Sequence, residues 1–221
     1  WESLGREGRV IVSNGPDIAK LSEFNQQPAM EPIRAFVGLG SGDNLRANAQ
    51  LAADELVRAG GLKRKVIAIG STTGSGWLNK ATIDSLEYMY NGDTAIVSMQ
   101  YSFLPSWLSF LVDKENARQA GQYLFEAVDE LIREMPEADR PKLVVFGESL
   151  GSFGGEAPFL ALNNLVARTD GAAPPFHSRP SPTGRTATSR PRSTRIGRNM
   201  PLLAGQMRRS PSSSVRQERS L

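Results

Sequence analysis

The residues best placed by type and spacing to do chemistry are Gly147-Glu148-Ser149-Leu150-Gly151, which fit the pattern G-x-S-x-G. A serine on a tight strand-to-helix turn is lifted above the sheet edge, and flanking glycines let neighbouring chain pass without a Cβ clash. Such a serine suits nucleophilic attack on an acyl carbon, provided a base takes its proton. The pentapeptide alone arises by chance in about one chain in ten of this length, so its context must decide. The apolar run Lys142-Leu-Val-Val-Phe146 precedes it as a buried strand, and a moderately helical stretch, Glu156 to Arg168, follows. A plain glycine-rich turn with a hydrogen-bonded serine is the alternative. The strand and helix around Ser149 favour the reactive turn.

Acyl transfer also needs backbone donors where negative charge develops on the carbonyl oxygen. The amide of Leu150, directly after the serine, is one. The other is expected from the loop two strands earlier in the chain. Counting back, that loop is Ser71-Thr-Thr-Gly-Ser-Gly-Trp77, glycine-rich as close backbone approach requires, with the amide of Thr72 or Thr73 as the donor.

Rival chemistries fail on particular residues. Gly38-Leu-Gly-Ser-Gly42-Asp43 resembles a dinucleotide loop, but Asp43 stands where the third glycine is needed. Gly70 to Gly76 lacks the Gly-Lys-Ser/Thr ending of a phosphate loop. The chain has no cysteine, which excludes disulfides, thiolate zinc sites and a cysteine nucleophile. No cofactor and no metal are expected. The carboxylate pairs Asp54-Glu55 and Asp129-Glu130 fall on helix faces read as solvated, and receive no catalytic role.

The elements that must position Ser149 are legible in the apolar pattern. Arg34–Leu39, Lys65–Ile69, Thr94–Met99 and Lys142–Phe146 are continuously apolar rather than alternating, as strands covered on both faces are. Between them lie helical periods. Leu45, Ala49, Ala52, Leu56 and Ala59 share a face; so do Ile83, Leu86 and Tyr90. Ala117, Ala120, Leu124, Val128, Leu131 and Met135 form the clearest stripe, ended by Pro136. Strand and helix alternating in this way predict an α/β fold, a mostly parallel sheet with right-handed crossovers.

Three regions follow: a lead-in over 1–32, an α/β domain over 33–171, and a basic tail over 172–221. The tail holds ten Arg and one Glu, a charge of +9 against +3 for the whole chain, which leaves the body at −6. Rich in Pro, Ser, Arg, Thr and Gly, it is expected to be disordered. Nucleic-acid binding is not expected, because Phe176 is its only aromatic for stacking. No apolar run reaches the roughly 18 residues of a membrane span. The chain opens on Trp1 rather than Met, as a fragment with its start upstream would.

Trp1-Glu-Ser-Leu-Gly-Arg-Glu-Gly-Arg9, Thr72-Thr-Gly-Ser-Gly-Trp77, the long run Gly92 to Asp113, Arg140-Pro-Lys-Leu143 and Gly147-Glu-Ser-Leu-Gly151 match one pattern. Together they resemble a bacterial family of membrane-anchored α/β-hydrolase-like proteins, whose hydrolase domain follows a block of transmembrane helices. The likeness covers about residues 1–172. It implies an α/β-hydrolase-like sheet flanked by helices, Ser149 as nucleophile, and membrane attachment through a segment upstream, but no substrate; a small-molecule or lipid-like acyl substrate is expected from the serine chemistry itself. An extra strand–helix unit (33–59) precedes the loop assigned to the oxyanion. Gln100-Tyr101-Ser102 ends a strand where a pocket would lie, although Tyr101, Phe103, Trp107 and Phe110 fit plain core at least as well.

After Ala172 the likeness stops. Family members continue with further strands, then an acid and a histidine; this chain turns into Arg/Pro/Ser-rich sequence of the kind produced by reading a GC-rich gene out of frame. The expectation is a sheet truncated at its C-terminal strands with an unpaired edge, and no identifiable base: the single histidine, His177, lies in the tail. The chain then reads as an inactive fragment of a serine hydrolase, or as a non-catalytic hydrolase-like binding or scaffold domain with a basic tail.

Overall fold

A computed structural model describes residues 1–104, 113–159 and 162–173. The chain separates into two units, Trp1–Arg179 and Pro180–Leu221, and every described residue belongs to the first. The tail beyond Ala173 with its suggested frameshift origin, His177, Trp107 and Phe110 lie outside the described residues.

Five strands form one all-parallel sheet in the order β1-β3-β2-β4-β5, where β1 is Ile33–Val37, β2 Val66–Ser71, β3 Thr94–Met99, β4 Lys142–Gly147 and β5 Gly171–Ala173. The four expected strands are all present. β2 and β3 are buried along their whole length, which is why their sequences are apolar without alternation. β5 was not expected: Gly171 to Ala173 pair with Val144 to Phe146. The strand is three residues of Gly and Ala, too short and too weakly β-forming to register as a pattern. The edge of β4 is therefore paired, and the sheet extends one strand further than the sequence predicts.

The strand order fixes the layers. With right-handed crossovers, connections running one way along the sheet lie on one face and those running back lie on the other. α3 (Leu45–Arg58), α5 (Lys114–Glu134) and α6 (Leu150–Gly155) follow strands whose connections run the same way; α4 (Lys80–Met89), between β2 and β3, runs back. The two cores match this division. Ala35, Ile67, Val97 and Val145 face Ala52, Leu56, Leu124 and Val128 of α3 and α5. The alternate residues Phe36, Ala68, Ile96 and Phe146 face Ile83 of α4 and Ile11 of α1 (Gly5–Ser13).

The lead-in is more structured than its sequence suggested. Besides α1 it forms α2 (Ile18–Asn25), started by the Asp17 carboxylate accepting from the Lys20 amide at 2.8 Å, and Leu21 of α2 is fully buried. At Gly8 a Cβ would lie 2.4 Å from the Phe36 ring, so α1 rides directly on the sheet. α3 begins at an Asn44 cap, whose side chain accepts from the Ala47 amide at 3.0 Å. α5 stops at Met135, immediately before Pro136.

One electrostatic feature corrects the sequence reading, and a second lies outside it. Asp129 is not solvated: it is 6 % exposed and accepts from Arg168 at 2.5 Å, while Arg168 also stacks over Phe125 at 4.6 Å. Arg34 on β1 and Glu87 on α4 form a two-point ion pair, both bonds 2.6 Å, with side chains 9 % and 0 % exposed. Burial, the larger effect, raises the Glu87 pKa despite the Arg34 guanidinium beside it. Phe103, read as core, is 79 % exposed, whereas Tyr101 is core at 5 %.

Candidate active site

In a parallel α/β sheet a crevice opens at the carboxyl ends of adjacent strands whose following segments depart to opposite faces. Here those strands are β2 and β4, paired from Val66↔Lys142 to Ser71↔Gly147. The chain leaves β2 towards α4 on one face and leaves β4 towards α6 on the other. Ser149 and the 71–77 loop, far apart in sequence, are thereby brought to the same edge.

Ser149 is exposed and caps α6 with φ 55° and ψ −122°. Positive φ is seldom adopted by residues with a Cβ, and this ψ lies well away from the left-handed helical well. Gln26, also at positive φ, sits in that well at φ 54°, ψ 33° as an ordinary helix end. A short helix after Ser149 begins at once, at Leu150, which the sequence did not suggest, while the stretch read as helical over Glu156 to Arg168 is helical over Leu162–Arg168. Leu150-Gly-Ser-Phe-Gly-Gly155 is a poor helix former, so its helicity is imposed by packing. That packing is close: a Cβ on Gly154 would sit 2.6 Å from the Ala117 carbonyl oxygen, and one on Gly121 2.0 Å from the Gly154 oxygen.

The turn is closed by the Gly151 amide donating to the Glu148 carbonyl at 2.9 Å and the Ser152 amide donating to the Ser149 carbonyl at 3.1 Å. The Leu150 amide, first in the helix, donates to no backbone carbonyl among the described residues. The glycines on either side are sterically required. A Cβ at Gly151 would meet the Ser71 carbonyl oxygen at 2.2 Å and the Thr72 oxygen at 3.2 Å; one at Gly147 would meet Gly151 backbone at 2.7 Å. The end of β2 thus lies against the turn that carries Ser149.

The two threonines of the neighbouring loop differ. The Thr73 amide already donates to the Trp77 carbonyl at 3.1 Å, and Gly76, at φ 93°, donates back to the Thr73 carbonyl at 2.9 Å. This closed turn occupies the Thr73 amide, which corrects its assignment as an oxyanion donor. Thr72 is fixed instead through its side chain, the hydroxyl donating to the Met99 carbonyl at 2.7 Å, and its amide makes no backbone bond among the described residues. The loop is further tied to the end of β3 by the Ser102 amide donating to the Gly74 carbonyl at 2.9 Å.

Sequence reasoning missed Asn79. Its Oδ1 accepts from the Ala81 amide at 2.9 Å, capping α4, while its Nδ2 donates to Glu148 Oε1 at 2.6 Å. The residue before Ser149 is thus tethered to the helix that leaves β2. An asparagine ahead of a helical period signals a cap; its second bond, across 69 positions, has no local signal.

No histidine occurs among the described residues, and none of their carboxylates is bonded to Ser149. Nor does any group of three or more His, Cys, Asp or Glu among them form a metal-holding cluster. No described helix is long and apolar enough to cross a membrane. A family model described as an alpha/beta-hydrolase family matches residues 33–205, from the first residue of β1 to beyond β5. No curated protein and no solved structure matches the chain.

Proposed function

The chain belongs to the alpha/beta-hydrolase family, and from that premise we propose that it carries the nucleophile site of a serine hydrolase acting on an ester or other acyl bond. The observation that carries this is the backbone of Ser149: exposed, strained at φ 55° and ψ −122°, and set between a buried strand and a helix start. Strain of this kind persists only where the surroundings over-determine it. Here the Gly147–Gly151–Ser71 contacts do so.

In the proposed reaction the Ser149 hydroxyl oxygen attacks the carbonyl carbon and its proton passes to a base. The resulting oxyanion is met by the Leu150 and Thr72 amides, donors already oriented before reaction. The leaving alcohol takes the proton, and water releases the acid product from the acyl-serine. The substrate is a small-molecule or lipid-like acyl compound, and attachment of the parent protein to a membrane upstream of Trp1 is part of the same proposal, resting on the family resemblance.

The lack of a histidine among the described residues favours a second reading, a hydrolase-like domain that binds acyl compounds without cleaving them. A serine with no base is a weak nucleophile. A fluorophosphonate probe separates the two. Covalent labelling of the wild-type chain that disappears in Ser149→Ala supports the hydrolase; a folded wild type that takes no label leaves the binding domain.

A further inference from the structure

We propose that Tyr101 is a substrate-binding residue of this site, its hydroxyl donating a hydrogen bond to the carbonyl oxygen of a short acyl group; the proposal rests on the acyl-transfer reading of Ser149. Tyr101 follows β3 at the carboxyl edge of the sheet and is 5 % exposed, yet its hydroxyl has no hydrogen-bond partner among the described residues. A buried hydroxyl left unpaired is a standing free-energy cost, and each such group in a folded protein calls for an explanation.

The surroundings of Tyr101 supply one. It lines a small void together with Thr72, Met99, Ala117, Gly121 and Gly154. Thr72 belongs to the loop that lies against Gly151, and Gly154 belongs to the helix whose first amide is that of Leu150. The void therefore lies between the two elements that carry the proposed oxyanion donors. Its other walls are chiefly apolar or glycine, and the phenol is a donor available to a polar atom placed there beside the Thr72 amide. Asp113, the charge acting on the phenol, is engaged elsewhere, accepting from the Ser102 hydroxyl at 2.5 Å. Burial, with the Asp113 charge adding to it, holds the Tyr101 pKa above its ordinary value and keeps the phenol a donor in neutral solution.

The void also limits the acyl chain. It has room for about one water-sized group. Its floor is backbone against backbone, since a Cβ at Gly121 would stand 2.0 Å from the Gly154 oxygen. The helices cannot close further. The void admits a single oxygen or methyl group of an acyl compound; an eight-carbon chain does not fit.

The test uses the full chain, with acetate and octanoate as probes titrated by calorimetry or NMR, and fluorophosphonate labelling measured beside them. Tyr101→Phe should weaken acetate binding about tenfold, the ratio of one well-formed hydrogen bond. It should leave urea stability equal or slightly higher, because the hydroxyl it removes has no partner among the described residues. Octanoate should bind more weakly than acetate to the wild type. Equal acetate binding in Tyr101→Phe, no acetate binding to any variant, a clear loss of stability in Tyr101→Phe, or preference for octanoate overturns the proposal. If Ser149 is labelled and Tyr101→Phe binds acetate normally, the Tyr101 assignment alone falls. If the wild type is never labelled, the acyl-transfer reading falls, whatever acetate does.

Discussion

Ser149 holds a backbone conformation that costs a residue with a Cβ about 1–3 kcal/mol. Glycine reaches positive φ freely but loses more chain entropy on folding, about 0.5–1 kcal/mol relative to alanine. The difference gives a prediction. Ser149→Gly should raise stability by about 1 kcal/mol in urea denaturation, while removing the hydroxyl that a phosphonate would label. A variant no more stable than wild type would mean that the Ser149 backbone is not strained. At this scale the sequence was legible wherever chemistry is local. Ser149, Leu150, Gly147 and Gly151 follow from one pentapeptide, and the contacts of the two glycines with Ser71 and with each other give the steric reason for the pattern. Thr72 and Thr73 were not separable, because the choice between them depends on a turn closed onto Trp77. The partners of Glu148 and the isolation of the Tyr101 hydroxyl were invisible, being products of distant chain brought together.

Elements read well from sequence when their apolar signal was long. Strands β1 to β4 and helices α3 to α5 emerged because each carries a continuous apolar run or a helical stripe of at least three apolar residues. α6 and β5 did not, because glycine-rich segments of six and three residues owe their form to neighbours rather than to propensity. The ion pair between Arg34 of β1 and Glu87 of α4 was hidden for a similar reason: nothing in either segment announces a partner 53 positions away. Removing one member of a buried pair typically costs about 3–5 kcal/mol, since the other charge stays buried alone. Arg34→Met should therefore lose about that much stability at pH 7, and Arg34→Met/Glu87→Leu should recover most of it. The deficit should also depend on pH. Burial already raises the Glu87 pKa from 4.5, and without Arg34 the rise is larger. A carboxyl whose folded pKa exceeds its unfolded one contributes stability that is complete below the unfolded value and is lost as pH rises through the folded one. The gap between Arg34→Met and wild type should thus narrow on acidification from pH 7 towards 4.5. Urea titrations at several pH values check this; a constant gap would mean that Glu87 remains ionised throughout.

For the whole molecule, the position of the site follows from strand order rather than from any one residue. The sequence predicts alternating strands and helices but not that β3 is displaced to the far side of β2, which is what makes β2 and β4 neighbours and opens the crevice between their departing segments. That arrangement sets Trp77, at the end of the 71–77 loop and 41 % exposed, at the same edge of the sheet as Ser149. The other two tryptophans are Trp1 and Trp107. Covalent occupation of Ser149 displaces water from the crevice, and a half-exposed indole at its edge responds to that change in polarity. Fluorophosphonate labelling should therefore shift the tryptophan emission of the wild type to shorter wavelength, and most of that shift should vanish in Trp77→Phe. The same treatment of Ser149→Ala should produce no shift. Labelling of Ser149 with unchanged emission would place the bound group away from the β2–β4 crevice. A shift that survives Trp77→Phe would show that Trp77 does not report on the occupied crevice, and would overturn its placement at the edge of the site.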